Sequence, residues 1–223
     1  MNALTELLSE YGDDILEALG ETGYMLVVSL LAAVVIGLPL GMVVFLTQRG
    51  GIAENRPIWS VANMYINIVR SFPFLLLVVF LIPFTRLTVG TSFGTQAATL
   101  PLCFVAVAIY ARLVEQILRE IPPGVSRVAL AMGATLPRAV FRVLLPEARP
   151  GLIAGATVTV VALVGFTAMG GAIGSGGLGD LAFRDGYQRS HTDVALVTVV
   201  ALLVLVQLLQ MLGDRLVAHY TRK

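Results

Sequence analysis

Five apolar runs, separated by polar and charged segments, organise the chain. The first, residues 24–46, holds no charged residue. At a rise of about 1.5 Å per residue it extends roughly 34 Å, enough to cross a bilayer with some tilt. The second, residues 58–84, is interrupted by Arg70 and Pro73; the others cover residues 98–118, 152–170 and 194–212. Each is near or above the roughly 18 residues that mark a spanning helix. The pattern predicts an all-α polytopic membrane protein with five transmembrane helices. A sixth crossing over residues 1–19 is disfavoured by Glu6, Glu10, Asp13, Asp14 and Glu17, at about 2.5–3.5 kcal/mol per charge. Apolar positions at Leu4, Leu7, Leu8, Ile15, Leu16 and Leu19 fit either a helix lying on the outer membrane face or a tail packed on the first span. The expected division is a tail or interfacial helix over 1–23, a membrane domain over 24–217 and a short tail over 218–223.

Composition agrees. The chain is 57% hydrophobic and 13% charged, with a mean hydropathy of +0.87, whereas soluble domains carry about 25% charge. A net charge of +1 gives no reason to expect a nucleic-acid partner. The lone Cys103 excludes an intrachain disulfide and reads as an apolar filler. Residues 1–23 are acidic and polar, the reverse of the basic start of a cleavable signal peptide.

Charge decides the expected orientation. One set of loops carries Arg49, Arg56, Arg119, Arg127, Arg138, Arg142, Arg149, Arg215, Arg222 and Lys223. The other carries Arg86, Arg184 and Arg189, with six acids before residue 22. The positive-inside rule places the 119–149 loop and the C-terminus in the cytoplasm, and the N-terminus and the 171–192 loop outside.

The 119–149 loop holds a helix–turn–helix pattern. Residues 125–132 lack glycine and proline; Gly133 suits a helix C-terminus, where positive φ is cheap for glycine. Thr135 can cap a second helix with Pro137 in its first turn, ending near Leu145 at Pro146. Val128, Leu130, Met132, Leu136, Val140 and Phe141 are available for docking, and the arginines for headgroups or an acidic partner.

The spacing in this loop resembles the coupling loop of ABC-importer permeases, EAA-x3-G-x9-I-x-LP. Val128 and Ala129 occupy the two alanine positions and Gly133 the glycine; Val143, Leu144, Leu145 and Pro146 follow nine residues later. Arg127 stands where the family has glutamate. The segments RSFPF from Arg70, IPFTR from Ile82, VGTS from Val89, AMGAT from Ala131 and AMGGAIGSGGLG from Ala168 resemble the methionine-importer permeases. The likeness extends from about residue 25 to the final TRK. It implies a permease of the type I importer fold in a bacterial inner membrane, working as two copies with a cytoplasmic ATPase dimer and an external substrate-binding protein. ATP and Mg would be held by that ATPase, with no cofactor in this chain. The substrate implied is L- or D-methionine, with another small amino acid or a compatible solute as the alternative.

The residues themselves argue against a built-in motor. A Walker A loop needs a lysine after its glycines, and the only lysine is Lys223. Residues 174–179, GSGGLG, match G-x-G-x-x-G but follow an apolar span rather than a strand. A self-contained channel or ion-driven carrier is the rival class; a carrier needs an acidic site at mid-membrane, and Glu115 lies near a helix end. No nucleophile–base or metal spacing points to an enzyme, and His191 and His219 are isolated.

Candidates for a pathway lie in two places. Asn63, Asn67 and Arg70 share one helical face beside Ser71. They form either a packing cluster, with Arg70 on carbonyls freed by Pro73, or part of a gate. Met169, Gly170 and Gly171 open a glycine-rich stretch and read either as a gate, with Met169 as a flexible plug, or as close packing at a helix end. Arg112, Glu115 and Arg119, at i, i+3 and i+7, read as a structural ion network.

Overall fold

The computed structural model describes residues 2–221 except 123, 126, 127, 129 and 130, with side chains from Tyr11 onward. Every described element is helical. Helix α1 (Asn2–Ala32) passes through a π turn (Ala33–Gly37) into α2 (Leu38–Thr47). Then come α3 (Arg56–Ser71), α4 (Phe74–Val89), α5 (Thr95–Glu120), α6 (Leu136–Ala139), α7 (Leu145–Gly171), α8 (Gly177–Leu181) and α9 (Thr192–Thr221). Four continuous stretches are long and apolar enough to cross a membrane: Tyr11–Thr47, Thr95–Glu120, Leu136–Gly171 and Thr192–Thr221. The pair α3 and α4 makes a fifth if counted as one span.

Helix α5 is the axis of the bundle. Its residues Leu102, Ala106, Ala108, Ala111, Val114 and Leu118 are all buried. Small residues on both flanks let its neighbours approach. Gly37 and Gly41, four apart on the α1–α2 rod, face Val107 and Ala111, where a Cβ would meet the α5 backbone. Gly151 and Gly155 of α7 make room instead for α5 side chains, Ile117 at both positions and Leu113 at the second. In a bilayer, where apolar side chains gain little by leaving lipid, close approach of this kind is what holds helices together. The contacts order the strands of the bundle: α2 runs parallel to α5, and α7 antiparallel to it. The 48–55 and 119–144 segments therefore share one end, and the 90–94 and 172–191 segments the other.

Three local expectations change. The second apolar run, interrupted at Arg70 and Pro73, is two helices and not one: α3 and α4 meet at a 115° bend. Pro73 supplies no N–H to Val69, and Phe72 and Pro73 are both extended, so the chain turns instead of continuing. The helix expected to end at Pro146 does not end there. A π turn over Val140–Leu144, closed by the Leu145 N–H on the Val140 carbonyl, carries it straight into α7. Leu145 stays helical in front of a proline, against the usual bias. The same device precedes Pro39, where the Leu38 N–H reaches the Ala33 carbonyl. A widened turn gives a proline ring room beside a carbonyl that an α turn would drive into it. Lastly, residues before Tyr24 form no separate surface helix: Asn2–Ala32 is one helix continuous with the first span.

Candidate functional site

At the end that carries the 119–144 segment, Gly133 adopts φ +85° in open space. This is the left-handed conformation expected of it, demanded by the turn and not by crowding. Thr135 precedes α6 in extended conformation with Pro137 in the first turn, but its hydroxyl makes no capping bond. Ala139, Val140 and Leu144 face the core and anchor the segment. Val143, Leu145 and Pro146 are half-buried. Val128, Met132 and Phe141 are exposed, Met132 to 82%. Around them Arg138, Arg142 and Arg149 are exposed and make no ion pair among the described residues. Arg127, Ala129 and Leu130 lie outside the described residues. The surface is apolar knobs set among guanidinium groups, suited to a partner that is apolar at its centre and acidic at its rim.

Deeper in the bundle, two features that appear separate in sequence form one network. Glu115, almost fully buried, binds Arg112 and Arg119 at 2.5 Å each. Arg112 also donates to Asn63 Oδ1 at 2.8 Å and Asn67 Oδ1 at 2.6 Å. The two asparagines thus serve α5 and not Arg70. Each of these runs has polar groups on an otherwise apolar face, and that was the available signal: polar groups inside a membrane must find each other. Arg70 makes no hydrogen bond or ion pair among the described residues and is exposed, so the expected bonding to carbonyls freed by Pro73 does not occur. Arg70 borders a cavity of about 310 Å³ in the α3–α4 elbow, lined also by residues of α5 and α7.

Met169 is 54% exposed, while Gly170 and Gly171 are buried. A Cβ on Gly171 would overlap the Gly179 carbonyl carbon, and one on Gly170 would lie 2.9 Å from Ser175 Oγ. Gly171 lets α7 touch α8. Met169 follows Phe166 by one turn, and Phe166 lines the elbow cavity. The glycine-rich stretch itself is held from outside: Glu21 accepts from the Gly177 N–H at 2.6 Å, and Thr22 Oγ1 from the Leu178 N–H at 2.9 Å. In the sequence these two residues look like the polar edge of a tail, and no local pattern marks their partners. A cavity of about 510 Å³ opens beside them, lined by Asp14, Glu17, Glu21 and Asp180 with Arg184. Burial, together with the charges of Glu21 and Asp185, pushes the Asp180 carboxyl up from its ordinary range, against the lowering pull of Arg184.

Known proteins resemble this chain in sequence and fold. The family model described as "binding-protein-dependent transport system inner membrane component" matches residues 33–223. The chain belongs to that family. Among relatives of this inner-membrane component, the probable D-methionine transport system permease protein MetI of Pasteurella multocida is 46% identical over 203 residues, 91% of this chain and 94% of that one. The methionine import system permease protein MetP of Bacillus subtilis is 47% identical over 170 residues, 76% of this chain and 77% of that one. A solved structure of the MetNI methionine ABC transporter, inward-facing, superimposes with a TM-score of 0.90 at 45% identity, covering 92% of this chain and 95% of that one. The transport-component architecture expected from the apolar runs and the loop spacing is therefore the observed one.

Proposed function

We propose that this chain is the permease subunit of an importer for methionine, in the L form, the D form or both. The observation that carries the reading is the Gly133 segment: an exposed face of Val128, Met132, Phe141 and arginines, anchored to the bundle by Ala139, Val140 and Leu144. It is a docking surface on a chain without a phosphate-binding loop, so force enters there from a separate ATPase that holds ATP and Mg. The relatives named for methionine transport, covering nearly the whole chain, support the substrate. Two copies of the chain pair with two ATPase subunits, and an external binding protein delivers substrate at the end that holds Gly177 and Asp180. That end, with the N-terminus, faces outward; the docking end and the C-terminus face the cytoplasm. The membrane is a bacterial inner membrane.

The stripe Val158, Gly165 and Met169 on α7 supports a pathway between the two copies, because it stays exposed among the described residues of one chain. Arg70 and Val158 line the same cavity. Closure of the ATPase pair around ATP moves the docked α6 segments. Because the chain is helical without a break from Leu136 to Gly171, that movement reaches the Met169 end as rigid rocking.

The test is uptake of labelled methionine by vesicles holding this chain with its ATPase and binding protein. ATP-dependent uptake is expected. Uptake by this chain alone would point to a carrier or channel, and ATP-dependent uptake of another small amino acid or a compatible solute, with none of methionine, would correct the substrate.

A further inference from the structure

We infer that the elbow cavity between α3 and α4 is a substrate subsite within the membrane, where the Arg70 guanidinium takes the carboxylate of a neutral α-amino acid. The inference rests on the reading of this chain as an amino-acid permease and adds a place and a chemistry to it.

Depth is the first argument. Arg70 stands fourteen residues beyond Arg56, which opens α3, so it lies roughly 21 Å along that helix. The hydrocarbon core is only about 30 Å thick. A guanidinium at such depth does not face lipid; it faces water, an anion or protein. Arg70 is exposed and has no hydrogen-bond or ion-pair partner among the described residues. The cavity beside it is the site left for an anion.

Charge is the second. Among the described residues the cavity wall carries no carboxylate. Its other guanidinium, Arg112, has both terminal nitrogens engaged, by Glu115, Asn63 and Asn67. The cavity thus holds one hydrogen-bonded cation, which shares the Glu115 carboxylate with Arg119, and one without a partner among the described residues, open to a carboxylate. A planar guanidinium offers such a group two parallel N–H donors.

The remaining wall suits the rest of an amino acid. Phe72, Phe74 and Phe166 present aromatic surface, with the Phe74 and Phe166 rings 5.0 Å apart. Such surface accepts an unbranched alkyl or thioether side chain. The Val69 carbonyl has lost its helical donor because position 73 is proline, and the Gln116 side chain borders the same space. Both accept from an ammonium group. At about 310 Å³ the cavity falls at the lower end of ligand-site volumes.

The test uses the whole permease–ATPase complex, purified without binding protein, and a methionine analogue with a diazirine in its side chain. Photolabelling followed by peptide mapping is expected to mark the segments around Phe72–Phe74 or Phe166. Methionine should compete, and methioninol, which lacks the carboxylate, should compete roughly tenfold or more less well. Arg70→Met should lose labelling by a similar factor, and Arg70→Lys should keep part of it. Label found only elsewhere, equal competition by methioninol, or wild-type labelling of Arg70→Met would overturn the inference. The methioninol arm needs no variant, so it decides even if Arg70→Met fails to assemble. Methionine uptake without carboxylate-dependent labelling removes the subsite and leaves the transport reading; carboxylate-dependent labelling in a complex that takes up no methionine does the reverse.

Discussion

The Glu21 carboxylate accepts the Gly177 N–H at 2.6 Å, joining residues 156 positions apart. Its other oxygen takes the Thr95 hydroxyl at 2.8 Å. One turn of α1 therefore ties together the N-terminal helix, the start of α5 and the glycine-rich segment, and satisfies an N–H that α8 leaves unpaired at its start. Thr22 does the same for Leu178 and is fully buried. Thr22→Val keeps the shape and leaves that N–H buried without an acceptor, at a cost of about 1–3 kcal/mol. Glu21→Ala should lower the thermal midpoint of the purified complex as well, and Glu21→Gln should recover part of it. Midpoints unchanged in both Thr22→Val and Glu21→Ala would show that this tie contributes nothing.

Glu115 is the counter-charge of the bundle. It is 1% exposed and binds two arginines. Glu115→Ala leaves the half-buried Arg112 without an anion and should cost up to about 3 kcal/mol. The paired change Arg112→Leu with Glu115→Leu should recover much of that loss, since no buried charge then remains. The measurement is denaturant unfolding of the three proteins; equal loss in the single and paired variants would refute a charge-based account.

Gly171 and Gly165 sit on the same helix in opposite circumstances. A Cβ at Gly171 overlaps the α8 backbone, whereas nothing lies within 4 Å of one at Gly165. Gly171→Ala should lower the thermal midpoint and reduce uptake by pushing α7 from α8. Gly165→Ala should be close to neutral or slightly stabilising through helix propensity in one chain. If a second copy packs on the Val158–Met169 stripe, Gly165→Ala will also weaken dimerisation, which light scattering of the purified complex would register.

Gly133 tests the docking surface. Its φ of +85° suits glycine, is tolerated by asparagine and strains a branched side chain. Gly133→Val is expected to separate ATP hydrolysis from uptake while the complex remains in the membrane, and Gly133→Asn to keep them linked. Equal uptake per ATP in wild type and Gly133→Val would remove the segment from the coupling route.

Asp180 supplies a pH dependence. Its folded carboxyl is held above the ordinary value of 3.8, first by burial and then by Glu21 and Asp185. The folded state thus binds a proton that the unfolded chain has already released. Its contribution to stability is present below the unfolded pKa and is lost as pH rises through the raised folded one. Asp180→Asn should flatten this fall. The check is the thermal midpoint as a function of pH from the ordinary carboxylate range upward; a midpoint in wild type that rises with pH there, by an amount that Asp180→Asn removes, would reverse the sign.

What the sequence determined by itself is everything governed by near neighbours. Uncharged runs of about twenty residues, the Gly133 turn and the Arg112–Glu115–Arg119 spacing are local, because hydrophobic burial, backbone conformation and i, i+4 pairing act over a turn or a span. The loop spacing from Gly133 to Pro146 carried the family as well. Four features belong to tertiary structure alone. The elbow at Phe72–Pro73 turns through 115°, though a proline in a membrane helix more often only kinks it. The helix continues through Pro146 because a π turn makes room. Asn63 and Asn67 serve Arg112, 45 to 49 residues away, and leave Arg70 open to the cavity. Glu21 reaches Gly177, 156 residues away. In each case the partner of a polar or backbone group is chosen by which helices lie side by side. That choice is made where glycines such as Gly37, Gly41 and Gly171 let backbones touch, and no local pattern of apolar and polar residues records it.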